Sequence, residues 1–352
     1  MSVIKPKILI VDDETFYIDL LTNLLEDEYQ VVVETDGESA LKNIYENGPP
    51  DLVLLDILMP GMDGYEVCKK IREFSLAVPV IFLTVKGGVD DEIRGFNIGA
   101  VDYISKPFSP PIVKARVRSH IELSSQKHML ELAVSERTQE IARARDVAIH
   151  CMASLAETRD LETGKHIRRT QTYVRILAER LQDHPRFESY LDRQRIDLIY
   201  NAAPLHDIGK VGVPDRVLLK PGKLDSEEWM EMRRHAEYGL RAIENAEKEL
   251  GDTPLLDVAK AIAYSHHERW DGTGYPLGLK GDEIPISGRL MAVADVYDAL
   301  ISKRVYKDAF PHEVAVEIIR EERGTHFDPD ITDAFLALEQ EFKQIAEELK
   351  DD

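Results

Sequence analysis

Five short apolar runs, separated by helix-like segments, dominate the first third of the chain. These runs are rich in Val, Ile and Leu, and they lie at Lys7–Val11, Gln30–Glu34, Asp51–Asp56, Val78–Thr84 and Asp102–Ser105. Strands that are apolar along their whole length are buried on both faces, which is typical of parallel sheets covered by helices. Because strands and helices alternate along the chain, the pattern predicts a doubly wound α/β fold with a five-stranded parallel sheet.

Polar residues stand where these predicted strands end. Asp12 and Asp13 follow the first strand, Asp56 ends the third, Thr84 ends the fourth, and Lys106 follows the fifth. The carboxyl ends of parallel strands meet at one edge of the sheet, where such folds bind their ligands. Carboxylates gathered there repel one another unless a cation intervenes, and oxygen ligands suit Mg²⁺. The sequence therefore predicts a magnesium site, the alternative being acids that only cap helices.

Residues 1–122 resemble a response-regulator receiver domain, which has the flavodoxin-like fold. The resemblance rests on these polar positions and on the loop Met59–Gly64, with one departure at Val85, where the family usually has a smaller residue. It implies that Asp56 is phosphorylated by a sensor histidine kinase and that the domain is a switch. It further implies Mg²⁺ binding by Asp12, Asp13, Asp56 and the Ile57 backbone, switch roles for Thr84, Tyr103 and Lys106, and a cis Lys106–Pro107 bond.

The segment 123–156 has the pattern of a long helix. Apolar or small residues recur at alternating spacings of four and three, interrupted by one arginine, at Leu130, Val134, Arg137, Ile141, Ala144, Ala148, Cys151 and Leu155. Such a seam is typical of a coiled coil, and the seam contains neither glycine nor proline. It predicts a helical linker that forms a homodimer, and the alternative is a single amphipathic helix packed on its own domain.

Residues 157–352 show helical patterns and no strand-like alternation of any length, which predicts an all-α domain. The chain has eleven histidines, and five of them, together with three carboxylates, are candidate ligands of one metal site in this segment: Glu162, His166, His206, Asp207, His235, His266, His267 and Asp295. Glu162 and His166 are four residues apart and would share one face of a helix. Imidazole and carboxylate groups together suit borderline divalent cations.

This second segment resembles the HD-GYP family, a branch of the His-Asp phosphohydrolases. The motifs that carry the resemblance are His206–Lys210, His266–Glu268, Asp271–Pro276, Arg304–Lys307 and Gly324–Pro329. Ala236 and Val305 depart from it, since the family usually has proline there.

The resemblance implies that the eight candidate residues bind two divalent metals, or three where Glu162 is retained. Iron or manganese is expected, with nickel or zinc as alternatives. Asp207 and Lys210 would be catalytic, and substrate would be bound by Lys210, Gly274, Tyr275, Arg304 and Lys307.

The family activity is hydrolysis of cyclic di-GMP to linear pGpG, and onward to GMP with a third metal. Two cations bridged by Asp207 could clamp a phosphodiester and lower the pKa of a water from 15.7 to about 7. Two alternatives remain open: a receptor that binds cyclic di-GMP without hydrolysing it, and a phosphodiesterase for another cyclic dinucleotide such as cyclic GMP-AMP.

Composition limits the partners that this chain is expected to have. A net charge of −21 and a pI near 5.0 argue against DNA, whose backbone requires a basic surface. Cys68 and Cys151 have no metal or disulfide spacing, which suits a reducing cytosol. No apolar run reaches the roughly 18–20 residues of a membrane span. We therefore expect a soluble cytoplasmic protein. The two resemblances further imply that its partners are a sensor histidine kinase, cyclic di-GMP and GGDEF-type or other signalling proteins.

Overall fold

The computed structural model describes residues 5–74, 77–85, 89–159, 164–302 and 309–350. The chain divides into two compact units, Met1–Gln139 and Glu140–Asp352. Each unit is considered by itself below. Three residues with predicted roles, Glu162, Arg304 and Lys307, lie outside the described residues.

The first unit is a five-stranded parallel sheet flanked by helices, and the sheet has the strand order β2-β1-β3-β4-β5. The strands are β1 Lys7–Val11, β2 Gln30–Glu34, β3 Leu52–Asp56, β4 Val80–Val85 and β5 Asp102–Lys106. Four helices connect them, α1 Thr15–Leu25, α2 Gly37–Asn47, α3 Gly64–Glu73 and α4 Val89–Ile98. The predicted doubly wound fold is confirmed, and all five apolar runs contribute a strand.

The central strand β1 shows why these runs are apolar throughout. Leu9 and Val11 point into one hydrophobic cluster and Ile8 and Ile10 into another, because successive side chains of a strand project to opposite faces. All four are buried. Helices therefore cover both faces, and the polar residues of this sheet collect at its carboxyl edge.

Helix α5, Pro110–Thr158, runs through the predicted linker without interruption. The boundary between the two units falls inside this helix, so no loop marks a domain border there. The apolar seam residues Leu130, Val134 and Ile141 are 65%, 58% and 70% exposed. Apolar side chains in a row on an exposed helix face favour a second helix over packing on the same chain. The limits 123 and 156 and the coiled coil itself remain predictions.

In the described residues, the second unit contains helices and no β-strand, as predicted. Its helices are α6 Gly164–Leu181, α7 Arg193–Ala202, α8 Asp215–Leu218, α9 Ser226–Arg233, α10 His235–Leu250, α11 Pro254–Ser265, α12 Ile286–Ile301, α13 His312–Glu321, α14 Pro329–Ala337 and α15 Glu339–Glu348. Short 3₁₀ turns occur at Ala203–Leu205, Ile208–Gly212 and Gly281–Glu283. None of the helices in the described residues is both long and apolar enough to cross a membrane.

An aromatic core holds these helices together. Tyr173 of α6 stacks on Phe342 of α15 with ring centroids 4.4 Å apart, and Tyr297 of α12 meets both rings edge-on. All three side chains are completely buried. Helix α12 is apolar around most of its circumference, because neighbouring helices surround it. Asp295 and Asp298 therefore project from a buried central helix that its neighbours hold in place.

Candidate functional site

The acidic crevice of the first unit forms at the carboxyl edge of the sheet. Asp12 and Asp56 are buried, Asp13 is exposed, and oxygen atoms of the three lie within 4.8 Å of one another. The Lys106 ammonium lies 2.8 Å from Asp12 Oδ2 and 2.9 Å from Asp56 Oδ2. Burial raises the pKa of Asp12 and of Asp56, and the hydrogen bond from Lys106 opposes that rise. The crevice thus holds a carboxylate cluster with its own counter-charge.

The other predicted receiver residues lie on β4 and β5 or directly follow β3. Thr84, the next-to-last residue of β4, is half-buried, and Val85, which ends the strand, is 60% exposed. Tyr103 is buried and packs on Phe96, with ring centroids 5.1 Å apart. Ile57 accepts a hydrogen bond from the backbone of the next helix, and the Lys106–Pro107 bond is cis. The carboxyl ends of β3, β4 and β5 thus bring Ile57, Thr84 and Lys106 to one edge of the sheet, while Tyr103 lies near the start of β5. The switch roles of these residues remain predictions.

In the second unit, seven of the eight predicted metal ligands converge as two adjacent groups. One group contains His166, His206 and Asp295, and the other contains Asp207, His235, His266 and His267. The ligand atoms within each group lie within 4.8 Å of one another. His166, His235 and Asp295 lie on α6, α10 and α12, respectively. His206 and Asp207 directly follow the turn Ala203–Leu205, and His266 and His267 directly follow α11. Residues more than a hundred positions apart thus share one site.

Asp207 joins the two groups. Its Oδ2 lies 3.3 Å from His206 Nε2 of the first group, and its Oδ1 lies 3.3 Å from His235 Nε2 and 3.6 Å from His266 Nε2 of the second. Burial opposes ionisation of Asp207, but the Lys210 ammonium, with Nζ 2.8 Å from Oδ2, holds the pKa of this carboxyl well below its usual range. Asp207 is therefore an ionised carboxylate that contacts both groups.

The hydrogen bonds of the histidines leave one nitrogen of each ring for a metal. The Nδ1 atoms of His206, His235 and His266 lie 2.9, 2.8 and 3.0 Å from the backbone carbonyls of Ala203, Met232 and Ile262. A carbonyl can only accept, so each Nδ1 carries the proton and each Nε2 carries the lone pair.

These lone pairs point into the protein interior. Among the described residues, the buried Nε2 atoms of His206, His235 and His266 have no hydrogen-bond partner. Three buried acceptors without partners are costly, unless a ligand such as a cation satisfies them. Burial lowers the pKa of His235 to about 4 and the pKa of His267 well below its ordinary value, so both rings are neutral near pH 7, as metal ligands must be. The donor set therefore fits divalent metal ions.

Sequence reasoning missed the support of His166. Its Nδ1 lies 2.7 Å from Oδ2 of the buried Asp298, which is also held by Arg169 Nε at 2.6 Å. Although burial disfavours ionisation, these two partners keep the pKa of Asp298 below its ordinary value. Asp298 follows Asp295 by one helical turn, so the spacing placed both on one face of α12. Nothing in the spacing indicated His166 as the partner.

We expect Asp298→Asn to weaken metal binding about 10-fold to 100-fold, because the carboxylate fixes the tautomer and direction of the His166 ring. Chelator competition followed by elemental analysis measures the change. Asp197→Asn is the matched control, because Asp197 is an exposed residue of α7 that pairs with Arg175 of α6. Equal metal affinity in the two variants would contradict this role of Asp298.

Two buried glutamates near the site were also missed. Glu268 accepts hydrogen bonds from the backbone N–H groups of Leu277, Gly278 and Leu279 at 2.7, 3.2 and 3.1 Å. It thereby anchors the glycine-rich loop that follows the histidine pair. The carboxylate of Glu157 lies 3.9 Å from His166 Nε2. Glu157 looks like an ordinary surface acid in the sequence, and Glu268 was only the last residue of the His266–Glu268 motif, without a role of its own. Their burial depends on the helices that cover them.

The predicted pocket residues of this loop lie directly against the ligands. The Tyr275 ring stacks on the His267 ring with centroids 4.7 Å apart. A Cβ at Gly274 would lie 2.5 Å from Glu268 Cα, so the close approach of the two backbone segments requires glycine. The loop therefore forms a wall beside the second ligand group.

Comparison with known proteins agrees with this arrangement. The response regulator receiver domain model matches residues 8–118, and the HD domain model matches residues 150–331. A probable cyclic di-GMP phosphodiesterase of Vibrio cholerae serotype O1 is 51% identical, over 98% of this chain and 80% of the relative. The cyclic di-GMP phosphodiesterase response regulator RpfG of Xanthomonas campestris pv. campestris is 35% identical, over 96% and 89%. A 3′3′-cGAMP-specific phosphodiesterase 2 of Vibrio cholerae is 43% identical, over 58% and 36%.

The receiver fold and the paired ligand groups define a signalling protein whose second unit is a metal-dependent phosphodiesterase. The chain belongs to the family of two-component response regulators in which a receiver domain precedes an HD domain of the HD-GYP type. Both resemblances found in the sequence are confirmed.

Proposed function

We propose that this protein hydrolyses cyclic di-GMP to pGpG and, where a third metal is bound, onward to GMP. The observation that carries the proposal is the pair of ligand groups joined by Asp207. The Vibrio and Xanthomonas relatives named for cyclic di-GMP, which match nearly the whole chain, support it. Cations bound there would polarise a phosphodiester and supply hydroxide from water at neutral pH.

The chain's own residues bring the ligands and the substrate together. Asp207 links the two groups. The Nδ1–H groups of His206, His235 and His266 donate to backbone carbonyls, which keeps the Nε2 atoms directed into the site. Lys210 places its ammonium 2.8 Å from Asp207 Oδ2, where it can neutralise a phosphate of the substrate. Because the whole protein carries a net charge of −21, attraction of a dianionic substrate must come from such local cations.

Metal identity and number belong to this proposal. Ligands that are all nitrogen and oxygen suit iron, manganese, nickel or zinc, and we propose iron or manganese. We propose two metals on the seven converging residues, and a third through Glu162. In the receiver crevice, we propose Mg²⁺ on Asp12, Asp13, Asp56 and the Ile57 carbonyl, since oxygen ligands suit that ion.

Metal content of anaerobically purified protein, measured beside cyclic di-GMP turnover and product identification, tests the proposal. We expect two or three metals per chain in the second unit and release of pGpG or GMP. Glu162→Gln should lower the metal count and shift the product towards pGpG. Full metal occupancy without turnover, in both the untreated and the phosphorylated protein, would refute hydrolysis and favour a receptor.

A second substrate is supported by one comparison, the relative named 3′3′-cGAMP-specific. Metal clamping of a phosphodiester does not depend on the bases, so selectivity must come from residues that contact them. A panel of cyclic di-GMP, cyclic GMP-AMP and cyclic di-AMP, compared by kcat/KM, decides between the substrates. Preference for cyclic GMP-AMP would replace cyclic di-GMP in this proposal.

We also propose that phosphorylation of Asp56 by a sensor histidine kinase regulates the phosphodiesterase. One continuous helix, α5, extends from the first unit into the second. Directly after this helix, Arg159 donates hydrogen bonds to the backbone carbonyls of Lys210, Val211 and Val213. A shift of the helix end would therefore move the turn that carries Lys210.

We expect a small phosphodonor such as acetyl phosphate to change kcat/KM at least tenfold, which requires only about 1.4 kcal/mol of differential stabilisation. Steady-state kinetics with and without the donor measure the effect. Asp56→Ala should abolish the response while retaining basal turnover. An equal response in that variant would exclude Asp56 as the sensor.

Assembly and location complete the proposal. We propose a cytoplasmic homodimer formed through the exposed seam of α5, with GGDEF-type or other signalling proteins as further partners. Leu130, Val134 and Ile141 are exposed apolar residues on that seam. Analytical ultracentrifugation of the full chain and of Ile141→Glu tests the dimer, and a monomeric wild-type protein would refute it.

A further inference from the structure

Arg233 ends helix α9 at the edge of the ligand cluster, two residues before the ligand His235. Its side chain is exposed. The guanidinium carbon lies 4.8 Å from the ring centroid of Tyr275 and 5.5 Å from that of Trp229. Tyr275 in turn stacks on the ligand His267. The Arg233 guanidinium thus lies on Tyr275 at the edge of the site. The sequence analysis assigned no role to Arg233.

No acid within the described part of the chain forms an ion pair with Arg233. Most arginines in this part of the unit are paired with carboxylates, namely Arg169 with Asp298, Arg186 with Asp328, Arg269 with Glu322, Arg289 with Asp328 and Arg234 with Glu231. In the residues that the structure describes, no carboxylate forms an ion pair with Arg233. A guanidinium supported only by ring faces keeps its N–H edges available for an anion. Because Arg233 lies beside Tyr275, next to the candidate metal ligands, this guanidinium is available to an anionic ligand of the site.

We propose that Arg233 binds the non-scissile phosphodiester of the cyclic dinucleotide. This inference rests on the proposed function, because it assumes a substrate with two phosphodiesters. Lys210 contacts the bridging carboxylate Asp207 and is therefore placed for the phosphate that the metals hold. Arg233 contacts neither Asp207 nor Asp295 and lies one aromatic ring away from the ligands. The two cations thus serve two separate phosphates.

The geometry also explains how Arg233 is kept in place. The Tyr275 ring holds the guanidinium by a cation–π contact, and Trp229, four residues earlier on the same helix, provides a second such contact. A guanidinium offers paired N–H donors that match the oxygens of a phosphodiester, whereas lysine offers only a point charge. Arg233→Lys should therefore restore part of the lost affinity and not all of it.

The test compares Arg233→Gln with Arg234→Gln, its neighbour, whose guanidinium is paired with Glu231 at 3.0 Å and lies over Tyr238. We expect Arg233→Gln to raise KM for cyclic di-GMP about tenfold with little change in kcat, as loss of one charge-assisted contact predicts. Arg234→Gln should behave as wild type. With bis(p-nitrophenyl) phosphate, which has a single phosphodiester, the two variants should give equal KM.

Further measurements separate this role from others. Metal content should be equal in the two variants, and a loss of metal in Arg233→Gln alone would overturn the proposal in favour of a structural role. A KM increase confined to guanine-containing substrates, absent for cyclic di-AMP, would assign Arg233 to a base and overturn the phosphate assignment. Equal increases for all three cyclic dinucleotides would support it.

Direct binding keeps this inference separate from the proposed activity. If wild-type protein hydrolyses no cyclic dinucleotide, the proposed function fails, but anisotropy of fluorescent cyclic di-GMP still reports affinity. About tenfold weaker binding by Arg233→Gln than by Arg234→Gln would support the contact. Equal binding would overturn it, whether or not the wild-type protein is an active hydrolase.

Discussion

Asp207→Asn is expected to abolish phosphodiesterase activity, with kcat/KM reduced at least about a thousandfold, or roughly 4 kcal/mol of transition-state stabilisation. The physical reason is the position of this carboxylate, which lies 3.3 Å from Nε2 of His206 and 3.3 Å from Nε2 of His235. An amide has the same shape but no charge, and it cannot bridge two cations. The variant should also bind less metal, which elemental analysis measures independently of turnover.

The substitution can also affect folding, because the Lys210 ammonium loses the carboxylate that neutralises it. Circular dichroism and the thermal midpoint measured without metal serve as the control. A folded Asp207→Asn protein with full metal content and undiminished turnover would exclude Asp207 as the bridging ligand. Reduced turnover with unchanged metal content would instead leave Asp207 with a role towards substrate alone.

Gly209→Ala is expected to cause the second large loss, about 100-fold in activity together with about 3 kcal/mol of unfolding free energy. A Cβ at Gly209 would lie 1.9 Å from the carbonyl oxygen of His235 and 2.3 Å from the backbone nitrogen of Gly239. Both contacts are with backbone atoms, so the turn must move away from α10. That movement separates Asp207 from His235, which belong to the same ligand group.

Gly239→Ala is the matched control, since Gly239 faces Gly209 from α10. A Cβ there meets Ala263 Cβ at 3.4 Å and Gly209 N at 3.5 Å, which are ordinary contacts. Alanine is also the better helix former, by roughly 0.5–1 kcal/mol. Steady-state kinetics and thermal unfolding of the two variants measure the difference. Similar behaviour of both would show that the close approach at Gly209 is not what holds the ligands together.

Most of the receiver site could be predicted from its sequence, for a reason that lies in the geometry of parallel sheets. Residues that follow apolar strands must collect at one edge, so Asp12, Asp56 and Lys106 could be placed together before any contact was known. The sequence could not show that Lys106 contacts both acids at once, with Nζ 2.8 Å from Asp12 Oδ2 and 2.9 Å from Asp56 Oδ2. Those distances depend on the packing of the whole sheet.

The candidate metal ligands of the second unit could be predicted for a different reason. His206 and Asp207 are adjacent in sequence, as are His266 and His267, so these pairs could be recognised as family motifs without the helical packing. The structure adds their division into two groups with Asp207 at the junction. Sequence spacing holds no information about that division, because the groups combine residues from distant helices.

The sequence by itself determined the fold class of both units and the identity of the converging ligands, since periodicity and motif spacing are local properties. Only the tertiary structure decided which side chains support them. Asp298 orients His166 across 132 positions of sequence, Glu268 anchors the loop that follows it, and Arg233 is left without an acid partner in the described residues. Burial, tautomer and charge pairing depend on neighbours that folding brings together, and one-dimensional patterns do not contain them.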